Sequence, residues 1–321
     1  MIQSFVFTGY LGSGKTTLML ASIQRYFNDK KVAVVVNEFG DIGIDGAIVQ
    51  NVHSQVVEIS EGCICCQLAQ EFEAGVTEVV ETYNPEVLFV EASGASEPFP
   101  IYLSLQNLGM SVEGVVCVID TKHFDLYKEE STARYQIGGS NILVLNKVDT
   151  VDTAIVNRVA SEVRGIKEQY NLKNTLTDQS VFRGYLMLKA QNGEFDRNPF
   201  DGLLDASELL ALGEDAHDHQ HHHTDGLAQK VAYIDASATW NDVHALLHSV
   251  PDNIVRIKGI ILTHDMPKPV ALHYVFGDVT FEELEAYEGK SVLVFIGEDA
   301  QNTVLNMAKQ FDFLRVPKFH V

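Results

Sequence analysis

The chain has 321 residues, with 44 acidic and 23 basic side chains and a formal net charge of −21. This length allows a sizeable core and two unequal domains. The acidic excess argues against nucleic acid or an anionic membrane as a partner, and no stretch reaches the ~20 uninterrupted apolar residues of a membrane span. We therefore expect a cytoplasmic protein whose cysteines stay reduced and form no disulfide framework.

Strand-like and helix-compatible segments alternate over roughly the first 190 residues. The predicted strands cover 3–8, 32–37, 55–59, 86–91, 114–119, 141–145 and 184–188. The predicted helices cover 15–28, 67–83, 97–108, 122–136 and 152–171. This alternation predicts a doubly wound α/β domain, in which a mostly parallel sheet is covered by helices on both faces. In such a sheet, functional residues collect at the carboxyl ends of the strands.

The first strand runs into GYLGSGKTT, which matches the phosphate-loop pattern G-x-x-x-x-G-K-[ST]. Glycines in such a loop let backbone N–H groups surround a phosphate at the N-terminus of a helix. We expect Lys15 to span the β and γ phosphates and the Thr16 hydroxyl to ligate Mg²⁺. A Gly-rich turn that matches by chance is the alternative. The predicted nucleotide-binding residues of this segment are Gly9, Gly12, Ser13, Gly14, Lys15, Thr16 and Thr17.

A later strand opens into NKVD, which has the form N-K-x-D and begins at Asn146. The carboxylate of Asp149 can accept hydrogen bonds from both the ring N–H and the exocyclic amine of guanine, whereas adenine presents the opposite pattern. The motif therefore predicts GTP as the ligand, with Asn146, Lys147 and Asp149 at the base, and it disfavours an ATP-dependent kinase.

Acidic residues follow two other strands of the predicted sheet. Glu91 is a candidate to hold Mg²⁺ and the attacking water, and a surface carboxylate at a strand end is the alternative. Glu38 begins a Gly-rich loop that also contains Asp41 and Asp45 and suits a switch segment. The predicted catalytic residues are thus Lys15, Glu91 and Glu38.

Three of the four cysteines lie in GCICC, at Cys63, Cys65 and Cys66. Three thiolates supply most of a tetrahedral Zn²⁺ shell and leave one position for a carboxylate, water or a client, which suits a carrier. Structural burial and a redox sensor are the alternatives. The fourth cysteine, Cys117, lies in an apolar strand and is expected in the core.

A polar segment farther along the chain contains HDHQHHH. An internal His-rich tract is typical of a flexible metal-binding linker, and an ordinary solvated loop of biased composition is the alternative. Neutral imidazoles bind Zn²⁺, Ni²⁺, Co²⁺ and Cu²⁺ and discriminate poorly among them. The predicted ligands are His217, His219, His221, His222 and His223.

The sequences GYLGSGKTT, NEFGDIGIDG, EGCICC, EASGASEP and NKVD occur in this order. In this combination the chain resembles the CobW-like family of P-loop GTPases, which is related to the hydrogenase and urease accessory GTPases. The resemblance implies a weak GTPase that carries a transition metal to a client apo-metalloprotein, with Zn²⁺ first and Co²⁺ or Ni²⁺ as alternatives. It also implies that the Cys-x-Cys-Cys motif is a metal site. Our first hypothesis is that GTP binding orders the 38–45 loop and this motif, and that hydrolysis releases the metal.

A metal buffer or sensor, in which nucleotide only stabilises the fold, is the competing hypothesis. The sequence does not fix the oligomeric state, and its dependence on metal or nucleotide is left open. The predicted organisation is a P-loop GTPase domain over 1–212, a His-rich linker over 213–227 and a C-terminal α+β domain over 228–321. The last domain is expected to hold one sheet with helices on one face, and its scattered histidines are assigned to no site.

Overall fold

The computed structural model describes residues 2–36, 55–58, 67–173, 180–182, 184–200, 228–284, 287 and 289–317. The chain divides into two compact units: Met1–Val181 with Tyr185–Arg197, and Phe182–Gly184 with Asn198–Val321. The predicted boundaries at residues 212 and 227 lie outside the described residues and stay predictions.

The first unit is built on an eight-stranded sheet in the order β3-β2-β4-β1-β5-β6-β7-β8. Pairing is parallel throughout except for β8, which adds antiparallel to β7. This arrangement confirms the predicted doubly wound α/β class. Its elements are β1 Gln3–Thr8, α1 Lys15–Tyr26, β2 Val32–Val36, β3 Gln55–Glu58, α2 Gln67–Tyr83, β4 Val87–Glu91, α3 Phe99–Asn107, β5 Ser111–Asp120, α4 Phe124–Tyr127, α5 Ser131–Gly138, β6 Ile142–Asn146, α6 Thr153–Tyr170, β7 Leu186–Gln191 and β8 Glu194–Phe195.

Both faces of this sheet are covered. On one face, the Phe89 ring lies 5.2 Å from the ring of Phe5 and 5.2 Å from that of Phe27, which directly follows α1. On the other face, Cys117 and Ile119 of β5 belong to an apolar cluster with residues of α4, α5 and α6. Central strands buried on both sides need continuous apolar sequences, which explains runs such as VAVVV in β2.

The predicted helix over 122–136 is wrong as a single element, because the chain forms α4 and α5 instead. Glu130 has φ −65° and ψ 130°, an extended conformation that interrupts helical geometry. The carbonyl of Lys128 accepts a hydrogen bond from Arg134 Nε at 3.0 Å. The Arg134 side chain therefore satisfies the Lys128 carbonyl at the end of α4.

The second unit contains an antiparallel six-stranded sheet in the order β12-β11-β10-β13-β9-β14. Its elements are β9 Ala228–Ile234, α7 Trp240–His248, β10 Ile254–Ile261, β11 Val270–Val275, β12 Asp278–Glu283, β13 Val292–Gly297, α8 Ala300–Gln310 and β14 Leu314–Arg315. Side chains of α7 and α8 join residues of β10 and alternate residues of β11 and β13 in one core, so both helices cover the same face. The predicted α+β layer is confirmed.

The sequence predicts a strand, a helix, three strands and a second helix in this unit, so it misses β12 and the short β14. Phe276 and Gly277 form a two-residue turn with φ of 50° and 96°, after which Val275 pairs with Asp278. Positive φ at both central residues is the geometry of the commonest two-residue hairpin turn.

Among the helices that the structure describes, none is both long and apolar enough to cross a membrane.

Candidate functional site

The predicted phosphate loop joins β1 to α1. Gly9, Gly12 and Gly14 have φ of 140°, 73° and 96°, a region that favours glycine. A Cβ on Gly9 would stand 2.2 Å from Val118 O, and a Cβ on Gly14 would stand 2.6 Å from Asn146 Nδ2. Both glycines are therefore favoured by their positive φ, and Gly9 is also required by the close approach of the β5 backbone.

Lys15 and Thr16 begin α1. The Lys15 side chain is buried, and its Nζ donates to Gly9 O at 3.1 Å, so the ammonium lies over the loop. Thr16 Oγ1 donates to Glu91 Oε1 at 2.7 Å, and Glu91 is only 5% exposed at the end of β4. Two residues predicted separately from the sequence are thus in direct contact.

The N-K-x-D segment contacts the same loop. Asn146, the last residue of β6, donates through Nδ2 to Ser13 O at 2.9 Å. Lys147 adopts φ 61°, and its Nζ donates to Gly12 O at 2.8 Å. Asp149 lies in a 3₁₀ turn directly after this lysine and is exposed. The two sequence motifs form one continuous structure.

Asp120, the last residue of β5, is a site residue that sequence reasoning missed. Its Oδ2 accepts from Lys147 Nζ at 2.7 Å and lies 2.9 Å from His123 Nδ1. Its Oδ1 accepts the backbone N–H groups of Lys122 and His123. Burial raises the pKa of Asp120, but the hydrogen bonds from Lys147 and His123 outweigh it and hold the pKa below its ordinary value. The sequence feature that could have identified Asp120 is its position at the end of an apolar strand.

The loop after β4 also lies against the phosphate loop. A Cβ on Gly94 would stand 3.0 Å from the backbone nitrogen of Leu11. Ser93 O accepts both the N–H and the hydroxyl of Ser96, which forms a compact turn. This loop connects Glu91 to α3 and lies against Leu11 of the phosphate loop.

Several predicted site residues lie outside the described residues. They are Glu38 and the metal ligands Cys63, Cys65, Cys66, His217, His219, His221, His222 and His223, all of which stay predictions. Cys117 is buried, as expected, and burial raises the pKa of its thiol to about 12. Within the part of the chain that the structure describes, no group of three or more His, Cys, Asp or Glu residues could hold a metal ion.

The residues present fit a phosphate group and a hard cation. The first turn of α1 contains no acidic residue, so its N-terminal N–H groups face no competing negative charge from that turn. A Cβ on Gly12 would meet nothing within 4 Å, and within the described residues the buried Ser13 Oγ has no hydrogen-bond partner. The hydroxyl of Thr16 and the carboxylate of Glu91 are oxygen ligands of the kind that Mg²⁺ takes.

Family comparisons agree with this geometry. A family model described as the CobW/HypB/UreG nucleotide-binding domain matches residues 3–173, which is more than half of the chain. The chain belongs to the CobW/HypB/UreG family. A second model, described as the cobalamin synthesis protein cobW C-terminal domain, matches residues 231–309. Both units therefore have counterparts in the CobW branch of this family.

Individual relatives cover most of the chain at low identity. The zinc chaperone CobW of Sinorhizobium sp is 25% identical over 308 residues, which cover 83% of this chain and 79% of the relative. The zinc chaperone YeiR of Escherichia coli is 28% identical, with coverage of 71% of this chain and 66% of the relative. The crystal structure of Zn(II)-bound YjiA GTPase from E. coli is 19% identical, covers 97% of this chain and 98% of its own, and has a TM-score of 0.36.

Proposed function

We propose that the protein binds GTP with Mg²⁺, hydrolyses GTP, and carries a transition metal, zinc first, to a client apo-metalloprotein. The observation that carries the nucleotide part is the bonding of the N-K-x-D segment to the phosphate loop, through Asn146 to Ser13 O and through Lys147 to Gly12 O. This contact joins the expected base-binding and phosphate-binding residues, so one guanine nucleotide can engage both.

Each phosphate-side residue then has a defined task. Lys15 offsets negative charge that develops on the transferred phosphoryl group. Thr16 and Glu91, already in contact, are the residues that would hold Mg²⁺, which supplies further charge neutralisation when bound. Glu38 remains a proposed catalytic residue on sequence grounds alone.

The zinc part is supported by the thiolate motif at Cys63, Cys65 and Cys66 and by the zinc chaperone relatives. An incomplete thiolate shell suits a carrier because it leaves a position through which the metal can leave. The competing function is a metal buffer whose affinity for Zn²⁺ does not depend on the bound nucleotide.

The test combines hydrolysis with metal binding. Purified protein should hydrolyse GTP, and guanine nucleotides should outcompete adenine nucleotides for the site. Zn²⁺ affinity is then measured by chelator competition in the GTP·Mg²⁺ and GDP states, with residues 217–223 deleted so that imidazoles do not mask the thiols. We expect two different affinities in this protein and a single, weaker affinity after Cys65→Ser, whereas the buried Cys117→Ala control should keep the difference.

Two outcomes reject parts of the proposal. Equal competition by ATP rejects guanine recognition. Equal Zn²⁺ affinity in the two nucleotide states rejects the nucleotide-gated carrier and favours the metal buffer. GTP-dependent transfer of zinc from the loaded protein to an apo-metalloenzyme tests the delivery step.

A further inference from the structure

A buried glutamine on α5 contacts the loop that follows Glu91. Gln136 is fully buried, and its Nε2 donates to Gly94 O at 3.1 Å and to Ser96 O at 3.0 Å. A primary amide has two N–H donors, so both are used on this one loop. The two carbonyls belong to residues separated only by Ala95, and the amide therefore restrains the orientation of two peptide groups within one turn.

The restrained peptides lie beside the phosphate loop. Gly94 approaches Leu11 so closely that a Cβ would stand 2.6 Å from Leu11 Cδ2 and 3.0 Å from its backbone nitrogen. Ser93 Oγ accepts from Ala95 N–H at 3.3 Å, which adds an internal restraint to the turn. A rotation of the Gly94 peptide would therefore disturb the contact with Leu11.

The helix that carries Gln136, α5, is fixed by hydrogen bonds from Ser140, which follows it, and from Lys167 of α6. Ser140 Oγ donates to Gln136 O at 2.7 Å, and Lys167 Nζ donates to Gly138 O and to Ser140 O, each at 2.7 Å. These side chains are at most 2% exposed. A Cβ on Gly138 would stand 2.1 Å from Tyr170 O, so α5 and α6 are in backbone contact. A continuous set of buried hydrogen bonds thus runs from α6 to the loop after Glu91.

We propose that Gln136 is a positioning residue for GTP hydrolysis, which fixes the 92–96 loop against the phosphate loop without touching the nucleotide. The inference rests on the proposed GTPase function. The Oε1 of Gln136 has no hydrogen-bond partner among the described residues, so the Nε2 bonds hold the amide in place. Leaving the two N–H donors or the two carbonyls unpaired would be costly, so the amide favours the single loop geometry in which both carbonyls are satisfied. Because the residues expected to bind GTP make other contacts, loss of this amide should reduce kcat while nucleotide affinity stays close to that of the wild type.

The first variant is Gln136→Met, which removes both donors at similar volume. We expect kcat to fall by about 10- to 100-fold, since a small misplacement of a loop next to the chemistry has effects of this size. Affinity for fluorescent GDP should change by less than about threefold. The matched control is Gln106→Met, because the amide of Gln106 donates to Tyr102 OH within α3.

Gln136→Glu adds a pH signature that a merely structural role would not give. The neutral carboxyl of Gln136→Glu keeps one O–H donor for the loop, whereas the ionised carboxylate repels both carbonyls. Because burial raises the pKa of a carboxyl, the change between these two forms falls at a higher pH than for an exposed glutamate. The ratio of its kcat to that of Gln136→Met should therefore decrease as the pH rises from acidic to alkaline. Ser140→Ala, which only loosens the helix, should lower kcat in the same direction by a smaller factor, and it carries the test if Gln136→Met does not fold.

Hydrogen exchange of the backbone amides of residues 92–97 in nucleotide-free protein separates this inference from the proposed function. Faster exchange in Gln136→Met than in Gln106→Met is expected. A wild type that hydrolyses GTP while Gln136→Met keeps kcat within about twofold overturns the positioning role. A wild type with no GTP turnover overturns the proposed function. If the loop amides of Gln136→Met then also exchange at the same rate as those of Gln106→Met, the restraint of the loop by Gln136 is overturned as well.

Discussion

The two units of the chain distribute polar side chains in different ways. In the first unit, the buried Glu91, Asp120 and Asn146 are the last residues of β4, β5 and β6. These strands belong to one parallel array, so their carboxyl ends meet at one edge. In the antiparallel second unit, the described histidines are spread over α7, the turn after β10 and β11. Parallel topology collects functional groups, whereas antiparallel topology disperses them.

The phosphate-loop region of the first unit and the helix-covered core of the second unit also differ in composition. Lys15 and Asp120 are buried polar residues whose energetic cost is offset by hydrogen bonds to the phosphate loop or to Lys147. The second unit also buries charged residues, Arg256 and Lys258 of β10, but the core between its sheet and its two helices is a cluster of apolar side chains. Substitutions in the first set should therefore affect chemistry first, and substitutions in the second should affect stability first.

Lys15→Ala should have the largest effect. Loss of a cation that offsets charge in the transition state is expected to lower GTP turnover by about 1,000-fold, or ~4 kcal/mol, as measured by steady-state phosphate release. Lys31→Ala is the matched control, because the Lys31 side chain is exposed and only its backbone bonds Glu86. Turnover at the wild-type rate in Lys15→Ala would contradict the assignment of the phosphate loop to GTP hydrolysis.

Leu293→Ala tests the other side of the comparison. Leu293 is fully buried on β13 within the apolar cluster, so its truncation should lower the free energy of unfolding by about 3 kcal/mol in a denaturant titration. GTP turnover below the unfolding transition should stay within about twofold of the wild type. Leu305→Ala, at a 40% exposed position on α8, is the control and should have a small effect. A large loss of turnover in folded Leu293→Ala would contradict the separation of roles.

Much of the fold follows from local sequence pattern. The observed β1 and α2 have the predicted bounds of 3–8 and 67–83. In contrast, β5 begins at Ser111, before the predicted start, because polar residues there are buried with partners. Ser4 Oγ donates to Ser111 O, and Ser111 Oγ donates to Glu113 Oε1. Local sequence does not reveal such partners on a neighbouring strand.

The same limit applies to the site. The phosphate loop and the N-K-x-D residues can be proposed from the sequence because the spacing of each motif is tied to a specific chemical task. Asp120 and Gln136 were missed because their roles depend on what faces them: Lys147 Nζ in one case, and the carbonyls of Gly94 and Ser96 in the other. A glutamine in a short helix carries no such information until the fold brings these carbonyls to it.

Asp149→Asn should give a smaller effect than Lys15→Ala, because it alters base choice and not the phosphate chemistry. An amide donates where the carboxylate accepts, so guanine preference over xanthine should fall by about 2 kcal/mol, a factor of ~30, in competition binding. Asp152→Asn is the control, since Asp152 is also exposed and makes no capping hydrogen bond to α6. An unchanged ranking of bases would contradict the assignment of Asp149.

Asp120→Asn should show a pH-dependent loss of stability of about 1.5 kcal/mol near neutral pH, as expected for hydrogen bonds to a charged group. The folded-state pKa of Asp120 lies below its ordinary value of 3.8, so the unfolded chain binds the proton more readily. The stability from ionised Asp120 is therefore fully present above pH 3.8 and is lost as the pH falls through the lower folded-state pKa. The measurement is the difference in free energy of unfolding between wild type and variant across this range. A difference that grows on acidification would be the wrong sign.

The smallest effect is expected at the start of α7, where the second unit uses a polar pair for stability alone. Thr239 Oγ1 accepts from Asp242 N–H at 3.2 Å, and Asp242 Oδ2 accepts from Thr239 N–H at 2.8 Å, which together form a capping box. Thr239→Ala leaves an N-terminal amide without its side-chain acceptor and should lower the free energy of unfolding by about 1 kcal/mol. Thr239→Ser keeps the hydroxyl and should remain near the wild type. If both variants lost equal stability, the methyl packing of Thr239 and not the cap would be responsible; if either lowered GTP turnover while folded, the second unit would contribute to the chemistry that the comparison assigns to the first.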